Sequence, residues 1–202
     1  MLDISIIIPH KIGPSNDKAL RLAIDSIMEY TERTYELILD MTVPRDPYRI
    51  WNEVSEQARG KTLVFSNSDV IFAPGWDVMA DHARSNVIVT GYILEPGNIG
   101  VAPVNIRRDL GRHPDNFNHS EFLSFVKKHS TKVPELTEKR AWYMPCAIDK
   151  EWFLSTGGFP IDVGFPSAND KRFWDQCRDN LGTVFLRARS YSYHFQNQSA
   201  RE

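Results

Sequence analysis

The chain begins with an apolar, largely β-branched run over residues 4–8. Such a run is typical of a central strand that is buried on both faces of a sheet. Pro9 is expected to end the strand, because proline cannot donate to the ladder. A helical pattern follows, with apolar residues at Leu20, Ala23, Ile24, Ile27 and Met28. This spacing predicts an amphipathic helix that ends near Tyr30 and takes its N-cap from residues 15–17.

The first half of the chain continues to alternate between strand and helix patterns. The predicted elements, in order, are the strand Tyr35–Leu39 ending at Asp40, the helix Pro47–Ala58, the strand Leu63–Phe65, the helix Trp76–Arg84 and the strand Val87–Thr90. A β-α-β-α-β order favours a mostly parallel sheet with right-handed crossovers. We therefore predict an α/β, Rossmann-like domain whose mixed but mostly parallel central sheet is flanked by helices.

The pattern loosens between Leu94 and Arg140, where glycines and prolines interrupt it repeatedly. One helix stands out there, because Asn118 is a good N-cap and Glu121 occupies a capping-box position. The elements predicted after it are a strand near Trp142–Ile148, a helix near Lys150–Ser155, a turn over Gly157–Pro160, a helix over Lys171–Asn180 and a strand over Val184–Ala188 that leads to His194. No repeat or linker divides the chain, so residues 1–202 are predicted to form a single domain.

Composition excludes several classes of protein. The net charge is −2 over 202 residues, so no global field would attract the chain to nucleic acid. The two cysteines, Cys146 and Cys177, lack metal-site or disulfide-framework spacing, which favours reduced thiols and a cytoplasmic location. No stretch approaches the roughly 20 apolar residues of a transmembrane helix, and the apolar start lacks the basic lead of a signal peptide.

Polar residues that could carry chemistry follow the predicted strands or lie in the late loops. They are Asp40, Asn67 with Asp69, Asp170 and His194. Ligands bind beyond the carboxyl ends of strands in open α/β sheets, and an Asp there can hold a divalent cation through oxygen. Each residue also has a purely structural interpretation: a turn for Asp40, Asx turns for Asn67 and Asp69, an N-cap for Asp170 and a packed side chain for His194.

The order of these motifs resembles that of the inverting family 2 glycosyltransferases with the GT-A fold, over nearly the whole chain from Ile4 to Ser199. The matching segments are Ser5–Pro9 for the opening strand, Glu36–Asp40 for the second strand, Phe65–Asp69 for the D-x-D motif, Pro74–Trp76, the GGF turn Gly157–Phe159, Asn169–Asp170 for the E-D pair, and His194 with Ser199 for a late H-x-x-x-x-S element. Two positions depart from the family pattern, because Asn67 and Asn169 replace acids. Because the neutral Asn67 removes one negative charge from the D-x-D motif, we expect weak metal affinity in the absence of nucleotide.

The resemblance implies a role for each candidate residue. The nucleotide-binding set is Pro9, His10, Lys11, Asp40, Asn67 and Ser68. Asp69 and His194 would bind a divalent cation, manganese or magnesium, and the nitrogen ligand favours manganese. Asp170 would be the catalytic base. The set implied for acceptor or sugar is Trp76, Gly157, Gly158 and Asn169. Residues 1–93 would then be a nucleotide-binding half and residues 94–202 an acceptor-binding half.

We therefore expect a metal-dependent, inverting glycosyltransferase that moves a sugar from a nucleotide-diphosphate sugar, with UDP favoured, to a glycan or another hydroxyl acceptor. One alternative is a catalytically weak nucleotide-sugar or carbohydrate-binding module with the same fold. A second is a sugar nucleotidyltransferase, although residues 9–14 lack a glycine-rich phosphate loop. A glycosidase would need two flanking carboxylates, and no such pair is evident.

Overall fold

The computed structural model describes residues 2–41, 46–97, 105–130, 135–136, 144–161 and 169–196, with backbone only at 135, 136, 169 and 170. The strands are β1 (Leu2–Pro9), β2 (Tyr35–Asp40), β3 (Gly60–Phe65), β4 (Val70–Phe72), β5 (Val87–Glu95), β6 (Ile106–Arg107), β7 (Glu135–Leu136), β8 (Cys146–Asp149) and β9 (Val184–His194). The helices are α1 (Pro14–Tyr30), α2 (Pro47–Gln57), α3 (Met79–His82), α4 (His119–His129), α5 (Lys150–Ser155) and α6 (Asn169–Leu181).

The described strands form one mixed sheet in the order β2-β1-β3-β8-β5-β9-β4, with the two-residue strands β6 and β7 paired to β5 and β9. β1 runs parallel to β2 and β3, and β5 runs parallel to β9. β8 lies antiparallel between β3 and β5, and β4 is antiparallel to β9. The predicted α/β fold with a mixed central sheet and flanking helices is therefore confirmed. Because β8 is reversed between them, β3 and β5 point in the same direction, and their carboxyl ends reach the same edge of the sheet.

The first strand shows why the sheet is covered on both faces. Ile4, Ile6 and Ile8 pack into one core with α1, whereas Ile7 packs into a second core on the opposite face with α2, α5 and α6. Successive side chains of a strand point to opposite faces, so a continuous apolar run requires helices on both sides. All four isoleucines are fully buried, as the sequence pattern predicts.

The start of α1 differs from the prediction. The helix begins at Pro14, with Gly13 as its N-cap and no side-chain cap, so residues 15–17 lie in the first turn. Proline fits the first helical position because its missing N–H would have no partner there anyway. By contrast, Asn118 caps α4 as predicted, since its side chain accepts a hydrogen bond from the Glu121 backbone N–H at 3.1 Å.

A buried polar contact joins β1, β2 and β3. The Ser5 hydroxyl donates to a Glu36 carboxylate oxygen at 2.6 Å and accepts from the Gly60 backbone N–H at 2.7 Å. The second oxygen of Glu36 accepts from Arg59 Nε at 2.7 Å. A Cβ at Gly60 would lie 2.3 Å from the Ser5 backbone nitrogen, so only glycine lets the strands approach this closely.

The two thiols, Cys146 and Cys177, are buried and do not pair with each other. Burial raises the pKa of Cys177 to about 12 and raises the pKa of Cys146 further. Neither thiol is therefore a nucleophile at neutral pH. Within the described ranges, no helix is both long and apolar enough to span a bilayer.

Candidate active site at the carboxyl edge of the sheet

The carboxyl ends of the first three strands bring the nucleotide-binding candidates together. Pro9 is paired with Asp40 in the β1–β2 ladder, and the His10 backbone N–H donates to the Asp40 carbonyl at 2.8 Å. The chain leaves β3 beside them, because the Ser66 N–H donates to the Ile7 carbonyl at 3.2 Å. The segment that follows, Asn67 to Asp69, is partly exposed at the same edge.

The metal-site candidates, Asp69 and His194, meet through the pairing of β4 with β9. Val70 is the ladder partner of His194, and the Phe195 N–H donates to the Asp69 carbonyl at 3.1 Å. Asp69 Oδ1 therefore lies 3.3 Å from His194 Nε2. The strand over Val70–Phe72 is absent from the predicted elements, yet it produces this contact.

A third residue, Glu95, joins this pair and is missing from the sequence prediction. β5 continues five residues beyond the predicted end at Thr90 and finishes at Glu95, next to the pairing of Leu94 with Tyr193. Its Oε1 accepts a hydrogen bond from His194 Nδ1 at 3.0 Å, and the side chain is only 6% exposed. The sequence does contain a signal for it, because Glu95 is an acid directly after an apolar run, as Asp40 is, and Pro96 follows it.

The two carboxylates determine the charge of His194. Burial lowers the pKa of the imidazole, but Asp69 and Glu95 outweigh burial and raise that pKa to about 10. Before any cation binds, the ring is therefore an imidazolium that bridges two carboxylates at neutral pH. A cation that binds Nε2 must displace a proton.

Asp69 and His194 suit a divalent cation only in part. Their oxygen and nitrogen donors face each other, as two ligands of one ion would. Glu95 contacts the opposite ring nitrogen, so it lies on the wrong side of the ring to bind the same ion. In the described part of the chain, no group of three or more His, Cys, Asp or Glu side chains could hold a metal. The residues present therefore fit a cation whose other ligands come from a nucleotide diphosphate and water.

His10 and Lys11, which were also predicted to bind the nucleotide, differ in their exposure. The His10 side chain is fully buried and its Nε2 contacts Asp17 Oδ1 at 2.8 Å. The buried imidazole is not accessible to a nucleotide, so the assignment of the His10 side chain to the nucleotide-binding set is corrected. Only the backbone of His10 is left for such a contact. Lys11 is exposed in the following loop, and its carbonyl accepts from Asn16 Nδ2 at 3.0 Å.

Trp76 is a core residue, which corrects its assignment to the sugar site. The side chain is 1% exposed, packs on Phe72 with 4.3 Å between ring centroids, and donates from Nε1 to Thr31 Oγ1 at 3.3 Å. A ring so enclosed offers no face to a sugar. The Pro-Gly-Trp segment therefore anchors the chain after β4.

Asn52 of α2 fixes the GGF turn in place. Its Oδ1 accepts from the Phe159 N–H at 2.9 Å, and its Nδ2 donates to the Phe159 carbonyl at 2.8 Å. Gly157 and Gly158 have positive φ values of 82° and 74°, a region that favours glycine. A Cβ added to Gly157 would have no atom within 4 Å, whereas a Cβ added to Gly158 would lie 2.5 Å from Asn52 Oδ1.

The helix that carries the proposed base packs directly on this turn. α6 begins at Asn169, so Asp170 lies in its first turn. Phe173 and Trp174 of the same helix contact the ring of Phe159, at centroid distances of 4.6 Å and 6.3 Å. The side chains of Asn169 and Asp170, and the whole of Ser199, lie outside the described residues.

A groove of about 360 Å³ lies beside α1, next to the residues that follow β1 and β2. Its lining is His10, Ile12, Asp17, Leu20, Arg21, Ile24, Asp25 and Met41. It contains none of Asp69, His194 and Glu95, so it is not the cation site.

The comparisons with known proteins found similar structures. No family model and no curated protein matches it in sequence. A crystal structure of GalNAc-T7 with UDP, GalNAc and Mn²⁺ aligns with a TM-score of 0.58 at 13% identity, covering 96% of this chain and 43% of that one. A crystal structure of S. aureus TarS 1–349 aligns with a TM-score of 0.61 at 13% identity, covering 96% of this chain and 60% of that one.

At 13% identity these alignments concern the fold alone. Both neighbours are glycosyltransferases, and the chain has their GT-A-like fold. The chain spans less than two thirds of either neighbour's length, at 43% and 60%. Membership of family 2, the inverting mechanism and the individual site residues remain predictions.

Proposed function

We propose that this protein is a metal-dependent, inverting glycosyltransferase that uses a UDP-sugar and transfers the sugar to a hydroxyl acceptor such as a glycan. One observation carries the proposal: in a GT-A-like fold, Asp40, Asn67–Asp69 and His194 converge on the carboxyl edge of the sheet. Ligands bind at this edge in open α/β sheets. A neighbour with the same fold was crystallised with UDP, GalNAc and Mn²⁺.

Each residue has a role that its chemistry allows. Asp69 and His194 would hold manganese or magnesium, which would act as a Lewis acid on the departing diphosphate. The Asp40 carboxylate would accept a hydrogen bond from uracil N3–H. Asn67 and Ser68, beside Pro9 at the sheet edge, would contact the nucleotide, and Lys11 would approach its phosphates.

Asp170 would take the proton from the acceptor hydroxyl as that oxygen attacks the anomeric carbon. With one base and no protein nucleophile, a single displacement inverts the anomeric configuration. The GGF turn supports this role, because Phe159 packs against Phe173 of α6, three residues after Asp170 on the same helix. Gly157, Gly158 and Asn169 would border the acceptor.

A thermal-shift screen of nucleotides with and without Mn²⁺ tests the proposal. UDP with Mn²⁺ should raise the melting temperature, whereas UDP with chelator should not. At a ligand concentration of 100 Kd the gain is about 2.7 kcal/mol, which corresponds to roughly 5–11 °C for a domain of this size. Isothermal titration calorimetry would then give the dissociation constants.

The decisive variant is Asp69→Asn, which keeps the shape of the side chain but removes a negative charge from the cation site. It should abolish the Mn²⁺-dependent shift. Glu56→Gln is the matched control, because Glu56 is an exposed acid on α2 and should leave the shift intact. UDP affinity that is unchanged by chelator would contradict metal dependence, and the absence of any nucleotide binding would contradict the whole proposal.

A second candidate function is a nucleotide-sugar-binding module that lacks transferase activity. The observation that favours it is the neutral residue at two expected acidic positions, Asn67 and Asn169. Hydrolysis of a bound UDP-sugar, with water as the acceptor, separates the two functions. A protein that binds a UDP-sugar with Mn²⁺ but neither transfers nor hydrolyses any donor is the binding module.

A further inference from the structure

Glu95 has no role in the transfer proposed above, yet it is one of the most enclosed carboxylates near the site. Its side chain is 6% exposed, and its Oε1 accepts from His194 Nδ1 at 3.0 Å. Among the described residues, its Oε2 is buried without a hydrogen-bond partner. Burying a carboxylate that is only partly hydrogen bonded is unfavourable, so its position calls for an explanation.

The geometry around His194 offers that explanation. Glu95 contacts the ring at Nδ1, and Asp69 lies 3.3 Å from the other nitrogen, Nε2. When Nδ1–H donates to a carboxylate, Nε2 is left as the nitrogen with a lone pair for a cation, and the plane of the ring is fixed. Histidines that bind metals commonly use their second nitrogen in this way.

We propose that Glu95 is a positioning residue for the cation site: it holds His194 in the orientation and tautomer that present Nε2 to a divalent cation shared with Asp69. The inference rests on the proposed function, because it requires that a cation binds there. The backbone reinforces the arrangement, since the Glu95 carbonyl accepts from the Arg108 N–H at 2.9 Å and so fixes the end of β5.

The test compares Mn²⁺ binding by the wild type, Glu95→Gln and Glu95→Leu. Electron paramagnetic resonance measures free Mn²⁺ directly, both with Mn²⁺ alone and with UDP added. Loss of such a supporting carboxylate typically weakens metal binding by about 10–100-fold, so Glu95→Leu should show a loss of that order. Glu95→Gln keeps an acceptor for Nδ1–H without the charge, and it should fall between the other two.

A spectroscopic signature separates positioning from a general loss of structure. In the wild type, electron spin echo modulation should show a ¹⁴N coupling from the imidazole of His194 to Mn²⁺. In Glu95→Leu that coupling should weaken or disappear even where Mn²⁺ remains on Asp69. If Glu95→Leu does not fold, Glu95→Gln provides the same comparison without removing the side chain.

Thr90→Val is the matched control, because Thr90 is another buried polar residue of β5, 2% exposed, and it pairs with Arg187 far along the strand from His194. It should bind Mn²⁺ like the wild type. Equal Mn²⁺ affinity and an unchanged ¹⁴N coupling in both Glu95 variants would overturn this inference and leave the proposed function intact. A wild type that binds no Mn²⁺, with or without UDP, would overturn both.

Discussion

Asn52 should stabilise the GGF turn through its two hydrogen bonds to the backbone of Phe159. A side chain at Gly158 should disrupt the same two hydrogen bonds, because it would collide with Asn52. Asn52→Ala removes both bonds, which are 2.8 Å and 2.9 Å long. Gly158→Ala places a Cβ 2.5 Å from Asn52 Oδ1 and so displaces Asn52 from those bonds. The two substitutions therefore remove the same interaction by different routes, and their effects on stability should not add.

The magnitudes follow from the contacts. Phe159 is 1% exposed, and each buried backbone group left unpaired costs about 1–3 kcal/mol. Because Asn52 is itself half-buried, water can enter its place, and we expect about 2–4 kcal/mol for Asn52→Ala. Gly158→Ala should cost that amount plus about 1–2 kcal/mol for alanine at positive φ. When Asn52 is already alanine, Gly158→Ala should cost only the strain of alanine at positive φ. The coupling energy between the two substitutions should therefore be about 2–4 kcal/mol.

Equilibrium unfolding in urea measures all four corners of this double-mutant cycle, with unchanged m-values as the check that the transition remains two-state. Gly157→Ala is the control, because Gly157 has a similar φ of 82° but open space around the added Cβ. It should cost only the strain and should be additive with Asn52→Ala. A coupling energy below about 0.5 kcal/mol between Asn52 and Gly158, the usual error of additivity, would refute the reasoning.

Three further predictions concern catalysis, nucleotide choice and pH. Asp170→Asn should lower the transfer rate by about 10²- to 10⁴-fold, as loss of a general base does, with donor affinity unchanged; transfer at the wild-type rate would move the base elsewhere. Asp40 should make UDP bind more tightly than CDP, because the corresponding cytosine nitrogen is an acceptor, and competition calorimetry with equal affinities would reject this role. Burial raises the pKa of Glu36, but hydrogen bonds from Ser5 and Arg59 outweigh burial and hold that pKa below its usual 4.5. The carboxylate therefore contributes stability above pH 4.5 that is lost as pH falls through the lower folded pKa. Glu36→Gln should be destabilised by about 0.5–1.5 kcal/mol at pH 7 and should approach the wild type in urea unfolding near pH 3; a deficit that does not depend on pH would contradict this.

Local pattern was sufficient to predict most of the elements. The β-branched run predicts β1, and the spacing of Leu20, Ala23 and Ile27 predicts α1, because burial on a defined face imposes a period on the sequence. Asn118 and the helix after it are also confirmed. The predicted N-cap of α1 was wrong because Pro14 is itself suited to the first helical position, so the helix begins before residues 15–17 and Gly13 becomes the N-cap.

Trp76 shows the limit of such reasoning. The short strand Val70–Phe72 does not stand out in the sequence, since three apolar residues fit a loop as well as a strand. Without β4, nothing in the sequence indicates that Phe72 packs on the Trp76 ring, and the sugar contact assigned to Trp76 follows only from the family resemblance. Burial of a single aromatic depends on neighbours that only the sheet brings together.

Glu95 is missing from the predicted site because its contact with His194 depends on the pairing of two distant strands. Asp40 and Asp69 follow strands of the first half of the chain, where successive β-α-β units place the carboxyl ends together. Glu95 and His194 are 99 residues apart, and they meet only because β5 and β9 pair in parallel with Leu94 beside Tyr193. Local pattern does not show this parallel pairing, which also holds Glu95 firmly against His194, on adjacent strands of one sheet rather than on a loop. A carboxylate set so rigidly behind a candidate cation ligand is suited to orient that ligand, and this is the property that the manganese experiment measures.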